Sequence, residues 1–149
     1  MSIFFRNFKM QVAALILLGL IIYGNTFLNG FIADDYHQIV DNPTVHSLKN
    51  LPAFFTGSTF YTGSSELAGN YYKPLLTTVY AVLYALFGQN PFGYHVAQVL
   101  LHIANAILVF LFCKFYFKSL MALVVSLLFL VHPLNTEAVV YVANLQDIL

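Results

Sequence analysis

The sequence has 149 residues and no net charge; only 8% of its residues are Asp, Glu, Lys or Arg, and 60% are hydrophobic. About a quarter charged is usual for a soluble domain, so six acids and six bases cannot cover this surface and lipid must cover much of it. The neutral balance without a basic run argues against a nucleic-acid partner, and the single Cys113 excludes an intramolecular disulfide.

The first apolar run, residues 12–28, follows Arg6 and Lys9 and contains no charged side chain. Extended to about 10–28, it is long enough to cross a bilayer. No small-x-small cleavage site follows it, so we predict an uncleaved first span. Because basic residues concentrate on the cytoplasmic side, we expect the N-terminus to be cytoplasmic.

Residues from about 29 to 91 form a long segment that we predict to be an extracytoplasmic loop. Asp35 followed by Gln38 predicts a short helix over Tyr36–Val40, with Asp35 as its cap. The Gly-, Ser- and Thr-rich residues 56–70 predict a loop without regular structure.

A second apolar run, about 75–87, follows Lys73-Pro74 and ends at Gly88, as expected of a helix. At 1.5 Å per residue it reaches only about 20 Å, whereas the hydrocarbon core is about 30 Å thick. We therefore predict an interfacial helix and not a span.

Two further spans are predicted, over about 92–113 and, if Lys118 snorkels, over about 115–131. Asn135 is then expected to cap a last helix that runs to Leu149 without a stop signal, so the chain is expected to be cut from a longer protein. The predicted fold class is an all-α membrane protein with three transmembrane helices and interfacial helices in a long first extracytoplasmic loop.

The charges support three spans. In that topology the basic residues Arg6, Lys9, Lys114 and Lys118 are cytoplasmic. All acids lie on the opposite side: Asp34, Asp35, Asp41, Glu66, Glu137 and Asp147. If residues 75–87 also crossed the membrane, the second pair of lysines would move outside, against the usual bias.

Asp34 and Asp35 follow the first predicted span, where the chain is expected to reach the membrane surface. They are the candidate catalytic residues. An active site at that surface suits substrates delivered on a lipid. If the donor is a sugar carried on a polyprenyl phosphate, the chemistry needs a carboxylate to take the acceptor's proton and cationic or hydrogen-bonding groups for the leaving phosphate. We expect Asp34 to be the base and Asp35 to cap a helix, because adjacent residues do not share a face. Alternatively, both only solvate a helix end.

Five residues are candidates for binding the donor phosphate or sugar: Lys73, His95, His132, Glu137 and Asp147. Lys73 opens the interfacial helix, where an anion would relieve its conflict with the helix dipole; snorkelling is the alternative. The two histidines lie near the outer ends of predicted spans, where interfacial or internally bonded histidines are more common. The two acids could supply a second carboxylate.

The predicted second span carries a polar stripe formed by Gln98, His102 and Asn105, which we expect to face other helices and not lipid. Asp34, Asp35 and His37 could form half of a metal site, but no spacing signature supports one. We therefore predict no metal and no other cofactor, while dependence on a divalent metal stays an open question.

Four stretches occur in an order that resembles a known family: Phe31-Ile-Ala-Asp-Asp-Tyr36; Tyr72-Lys-Pro-Leu75 with Phe87-Gly88; Tyr94-His-Val-Ala-Gln-Val-Leu-Leu-His102; and His132-Pro-Leu-Asn-Thr-Glu-Ala138. The chain resembles the N-terminal part of the C-type polytopic glycosyltransferases. The nearest branch is the protein O-mannosyltransferase-like group that includes the transmembrane and tetratricopeptide-repeat-containing proteins.

The resemblance implies many transmembrane helices, a polyprenyl- or dolichyl-phosphate sugar donor, inversion at the sugar carbon, and a protein or glycan acceptor. It implies that Asp34 is the catalytic aspartate and that Lys73 lies near the donor phosphate, with His132 and Glu137 in the last shared element. The chain departs from the family at Asn144-Leu-Gln-Asp147, where relatives often carry Gly-Arg-x-Asp, so an arginine contact to phosphate is missing or supplied elsewhere. Without the remaining helices, these residues alone are expected to be inactive.

The alternative is a non-enzymatic polytopic membrane protein, either a transporter fragment or a membrane scaffold. A transporter typically places ionisable groups near the bilayer midplane, whereas every acid here is predicted to lie outside. The compact loop and the absence of Asn-x-Ser/Thr sequons favour a bacterial inner membrane.

Overall fold

The computed structural model describes residues 7–59 and 71–149, and all regular secondary structure in those ranges is helical. The α-helices are α1 (Phe8–Tyr23), α2 (Leu51–Phe54), α3 (Pro74–Phe87), α4 (Pro91–Cys113), α5 (Ser119–Val131) and α6 (Leu134–Val140). A π-helical turn covers Tyr36–Val40, and 3₁₀ turns cover Gly24–Leu28, Pro43–His46, Leu48–Asn50 and Val142–Asp147. Arg6, Glu66 and most of the predicted loop over 56–70 lie outside the described residues.

Two helical segments are long and apolar enough to cross a membrane: Phe8–Leu28, which joins α1 to its 3₁₀ extension, and α4. Helices α5 and α6 pass the same test only as a pair, and the pair is bent by 61°. The described residues therefore contain two candidate spans, or three if the bent pair counts as one. The all-α membrane class is confirmed, while the interfacial placement of α3 stays a prediction.

Prolines and a glycine set the limits of α3 and α4. Pro74 and Pro91 occupy the first helical positions, where the missing N–H is not needed. The Asn90 side chain accepts a hydrogen bond from the Phe92 N–H at 3.1 Å and caps α4. Helix α3 ends at Gly88, whose φ of 58° is in the region that favours glycine. The predicted start and end signals of α3 are confirmed.

The prediction that the third span begins near residue 115 is wrong, because α5 begins at Ser119. The Phe117 N–H donates to the Cys113 carbonyl at 2.8 Å and closes a turn, and Lys118 is extended with a ψ of 148°. Helix α5 alone has 13 residues and reaches about 20 Å, so it needs the bent α6 to approach the length of a span.

The break after α5 follows from Pro133, which has no N–H to continue the helix. The Leu130 carbonyl, left without its helical donor, accepts the Tyr23 hydroxyl at 3.0 Å and bonds His102 Nε2 at 3.1 Å. These side chains come from α1 and α4, so hydrogen bonds at the end of α5 connect it to both of these helices.

Helix α6 begins at Leu134, whose N–H donates to His132 Nδ1 at 3.2 Å. The prediction that Asn135 caps the last helix is wrong, because its side chain donates backwards to the Phe129 carbonyl at 2.7 Å. The predicted helix to Leu149 is also wrong, since α6 ends at Val140 and the chain continues as a 3₁₀ segment.

Two hydrophobic cores organise the fold. The first lies between α1, α4 and α5 and includes Leu15, Val99, Ile103, Phe110 and Leu130. The second includes Ile39 and Phe54 of the first loop, Leu76 and Tyr80 of α3, Tyr94 of α4, and Val142 and Leu145. The second core thus packs Val142–Asp147 against the first loop and α3.

The polar stripe of α4 faces protein, as predicted. Gln98 Nε2 donates to the carbonyls of Ala138 and Tyr141 at 3.0 and 2.8 Å, and Asn105 Nδ2 donates to Ile148 at 2.7 Å. These bonds hold the chain after α5 against α4.

Candidate functional site

A cavity of about 320 Å³ lies between the first loop, the start of α3 and Val142–Asp147. Its volume is at the lower end of the range of about 300–1,000 Å³ that is typical of small-ligand sites. The polar side chains on its walls are Asp34, Gln38, Asn42, Thr59, Tyr71, Lys73, Thr77, Tyr80, Asn144 and Gln146. The cavity therefore brings together two of the predicted site residues, Asp34 and Lys73.

A tight turn over residues 32–35 places the two neighbouring aspartates in different surroundings. The Asp35 N–H donates to the Ile32 carbonyl at 2.9 Å, and Ala33 inside this turn has a φ of 43°, which is uncommon for a residue with a Cβ. Asp34 is exposed and lines the cavity, and its N–H donates to the Tyr141 hydroxyl at 2.9 Å. Asp35 is fully buried.

The Asp35 carboxylate binds two backbone groups. Oδ2 accepts the Ile32 N–H at 3.0 Å, and Oδ1 accepts the Ala143 N–H at 2.7 Å. The prediction that Asp35 caps the following helix is wrong, because its side chain makes no cap bond there. Burial raises the pKa of Asp35, the two N–H donors partly offset that rise, and the Asp34 charge adds to it.

Lys73 is fixed through its backbone and directed by a carboxamide. Its N–H donates to Thr59 Oγ1 at 2.7 Å, and its carbonyl accepts both the N–H and the hydroxyl of Thr77 at 3.1 Å. Its Nζ donates to Gln146 Oε1 and lies 5.2 Å from the centre of the Tyr71 ring. The ammonium group is thus held at the cavity wall.

Besides Asp35, four predicted site residues do not line the cavity. Glu137 is exposed and accepts a hydrogen bond at 3.0 Å from Nδ2 of Asn144, which lines the cavity. His132 and Asp147 are exposed elsewhere, and His95 is buried in α4. Their roles in donor binding stay predictions.

Sequence reasoning missed the carboxamide groups of the cavity: Gln38, Asn42, Asn144 and Gln146. These side chains come from two separate segments and have no common spacing that would reveal a shared site. The available signal was that Asn144 and Gln146 fall in the tetrapeptide at which the chain departs from the family pattern.

The cavity combines a carboxylate, an ammonium group and neutral carboxamides. This set can bind a ligand with several hydroxyl groups and one anionic group. Within residues 7–59 and 71–149, no three His, Cys, Asp or Glu side chains are grouped as a metal site would need.

Comparison with curated proteins finds relatives that share one description. Human "protein O-mannosyl-transferase TMTC3" is 30% identical over 128 residues, and human "protein O-mannosyl-transferase TMTC1" is 34% identical over 131. "Protein O-mannosyl-transferase tmtc2" of Xenopus laevis is 35% identical over 137 residues. These alignments cover 85 to 88% of this chain. The chain is a homologue of the TMTC protein O-mannosyl-transferases.

The TMTC homology confirms the family branch that the four sequence stretches predicted. The chain spans only 14 to 16% of the length of these three TMTC relatives. No family model matches the chain, and no solved structure matches it.

Proposed function

We propose that this chain contributes the base and a donor-binding cation to a membrane glycosyltransferase. The enzyme would transfer a mannose-like sugar from a polyprenyl- or dolichyl-phosphate donor to a hydroxyl group of a protein or glycan. The names of the relatives support sugar transfer to a protein. The observation that carries the proposal is the cavity that Asp34 and Lys73 share at the exit of the first apolar segment.

In this proposal Asp34 takes the proton of the acceptor hydroxyl as its oxygen attacks the anomeric carbon. The new carbon–oxygen bond forms opposite the bond to the lipid phosphate, which breaks, so the sugar carbon is inverted. The Lys73 ammonium stabilises the negative charge that develops on the leaving phosphate. Gln146, which accepts a bond from Lys73, keeps the ammonium directed into the cavity.

The proposed site lies on the extracytoplasmic side, with the N-terminus in the cytoplasm. The lysines Lys9, Lys114 and Lys118 would then share the cytoplasmic side, in keeping with the usual charge bias. The choice of a bacterial inner membrane stays a prediction, and the relatives named above are animal proteins.

A transporter fragment or a membrane scaffold finds less support. Three polar side chains of α4 that a transport pathway could use are engaged with backbone: His102 and Asn105 each bond a carbonyl, as does the amide nitrogen of Gln98. The names of the relatives also favour a transferase.

Replacement of the proposed base tests the function. We expect Asp34→Asn, in the complete membrane protein, to lower sugar transfer from a lipid-phosphate donor by about 10²–10⁴-fold, because the acceptor's proton has no base. Transfer of radiolabelled sugar by purified protein in nanodiscs measures this.

Asp41→Asn is the matched control, because Asp41 is exposed in the same loop and does not line the cavity. Both variants are first compared with the wild type for membrane insertion and yield. Undiminished transfer by correctly inserted Asp34→Asn would contradict the proposed role of this residue.

A further inference from the structure

Asp35 connects the two sides of the cavity without facing it. We infer that Asp35 is a positioning residue for the proposed base: its carboxylate fastens the turn that carries Asp34 to the Val142–Asp147 segment, which supplies Asn144 and Gln146. The inference rests on the function proposed above, because it assigns Asp35 a role through Asp34.

Both hydrogen-bond donors to Asp35 are backbone groups, so the carboxylate fixes the course of the chain. The Ile32 N–H belongs to the turn itself, and the Ala143 N–H belongs to the opposite wall. A carboxylate accepts at both oxygens, whereas an asparagine in the same position would present an NH₂ group to one of the two N–H donors. Asp35→Asn therefore keeps the shape of the side chain and removes one bond.

The opposite wall is a firm support for this attachment. The Tyr80 hydroxyl of α3 donates to the Val142 carbonyl at 2.9 Å, and Gln98 of α4 donates to the Tyr141 carbonyl at 2.8 Å. The chain is thus bonded to two helices at the two residues that directly precede Ala143. Through its bond with the Ala143 N–H, Asp35 holds the first loop against this segment.

The turn itself has a conformation that needs outside support. Ala33 has a φ of 43°, and such a residue keeps this conformation only when surrounding contacts hold it. Asp35 supplies one contact, and the Tyr141 hydroxyl, which accepts the Asp34 N–H at 2.9 Å, supplies another. Both contacts lead to the same wall, so loss of either lets the Asp34 carboxylate move relative to Lys73.

Hydrogen–deuterium exchange of the complete protein in nanodiscs tests the connection directly. We expect Asp35→Asn to speed exchange about tenfold at the Ile32 or the Ala143 amide, whichever faces the new NH₂ group, because its bond to a charged acceptor is lost. Peptides from the middle of α4 should exchange at the wild-type rate. Unchanged exchange at both amides would overturn the inference.

Kinetics separate positioning from a general loss of structure. We expect Asp35→Asn to lower kcat by about 10²-fold, as for a base displaced by about 1 Å, and to leave the KM for the lipid-phosphate donor within about twofold. Tyr141→Phe is a conservative second variant that removes the acceptor of the Asp34 N–H, and it should lower kcat about tenfold with the same donor KM.

Asp41→Asn again serves as the control with unchanged exchange and kinetics. A wild-type kcat in both Asp35→Asn and Tyr141→Phe, or an equal change of kcat and donor KM, would refute positioning. The exchange result does not need transferase activity, so it stands even if Asp34→Asn shows that the proposed function is wrong.

Discussion

Lys73 is a cation held at a place that disfavours a cation. It precedes the first residue of α3, where the helix dipole is positive, and its backbone bonds to Thr59 and Thr77 prevent it from moving away. Gln146 supplies a neutral acceptor, which compensates only part of this cost. A phosphate in the cavity would compensate the rest, so the residue is better suited to binding an anion than to stabilising the fold.

Replacement of Lys73 should therefore weaken donor binding without unfolding the protein. We expect Lys73→Gln to raise the KM for the lipid-phosphate donor by about 10–100-fold, the loss typical of a charge-assisted hydrogen bond. The midpoint of thermal unfolding should not fall, because a positive charge leaves a helix N-terminus.

Lys49→Gln provides the comparison, since Lys49 is exposed in the same loop and does not line the cavity. A donor KM that changes equally in both variants would mean that the lysines act through general attraction to the lipid surface.

At the scale of helices, α1 packs closely on α4 at Gly19. A Cβ built at Gly19 would overlap the side chain of Ile103 and contact Leu130 Cδ1 at 3.5 Å. Small residues allow helices to approach in this way inside membranes, where packing provides much of the association energy. The close approach also places Tyr23 within reach of the Leu130 carbonyl.

Gly19→Val should destabilise the helix bundle by about 1–3 kcal/mol, because the added methyl groups force the two helices apart. Unfolding by SDS, followed by circular dichroism, measures the change. Gly24→Ala is the control: Gly24 has an ordinary φ of −62°, and no described atom lies within 4 Å of its added Cβ. Equal stability of the two variants would contradict the close packing at Gly19.

Local signals in the sequence predicted elements better than they predicted contacts. Pro74 and Gly88 act on their own backbone, so their effects were readable. The start of α5 was missed because residues 114–118 are dominated by aromatic side chains, and hydropathy does not distinguish an apolar turn from an apolar helix.

The site was predictable only in part for a related reason. Asp34 and Lys73 stood out because charges are rare in this chain, and both line the cavity. The bond from Ala143 to Asp35 joins residues 108 positions apart, and a backbone donor has no sequence signature. The sequence therefore predicts a local capping role for Asp35, whereas in the structure its carboxylate binds the distant Ala143 N–H.

At the scale of the whole molecule, the membrane topology decides whether the cavity and the basic ends of the helices lie on opposite sides. Three spans place the turn between α4 and α5 across the membrane from the first loop. A fourth crossing by α3 would place both on the same side. Exposed residues on each side allow a direct test: His37 in the first loop and Tyr116 in the α4–α5 turn.

We expect His37→Cys and Tyr116→Cys to react with a membrane-impermeant maleimide from opposite sides of sealed vesicles. The variants are made in a Cys113→Ala background, since Cys113, the one cysteine among these 149 residues, is buried. Asp147→Cys, at an exposed position after the bent pair α5–α6, should react from the same side as His37→Cys. Labelling of positions 37 and 116 from one side would show that α3 crosses the membrane.

The bond between Asp35 and Ala143 also sets the order in which the cavity can be built during synthesis. The two residues are 108 positions apart, and a ribosome adding about 5–20 residues per second needs about 5–20 s to cover that distance. Throughout that interval the newly made loop has its carboxylate but lacks one of the two amides that hold it. The cavity therefore closes only after α4, α5 and the bent α6 have been made, and a nascent chain arrested before that point presents an open loop.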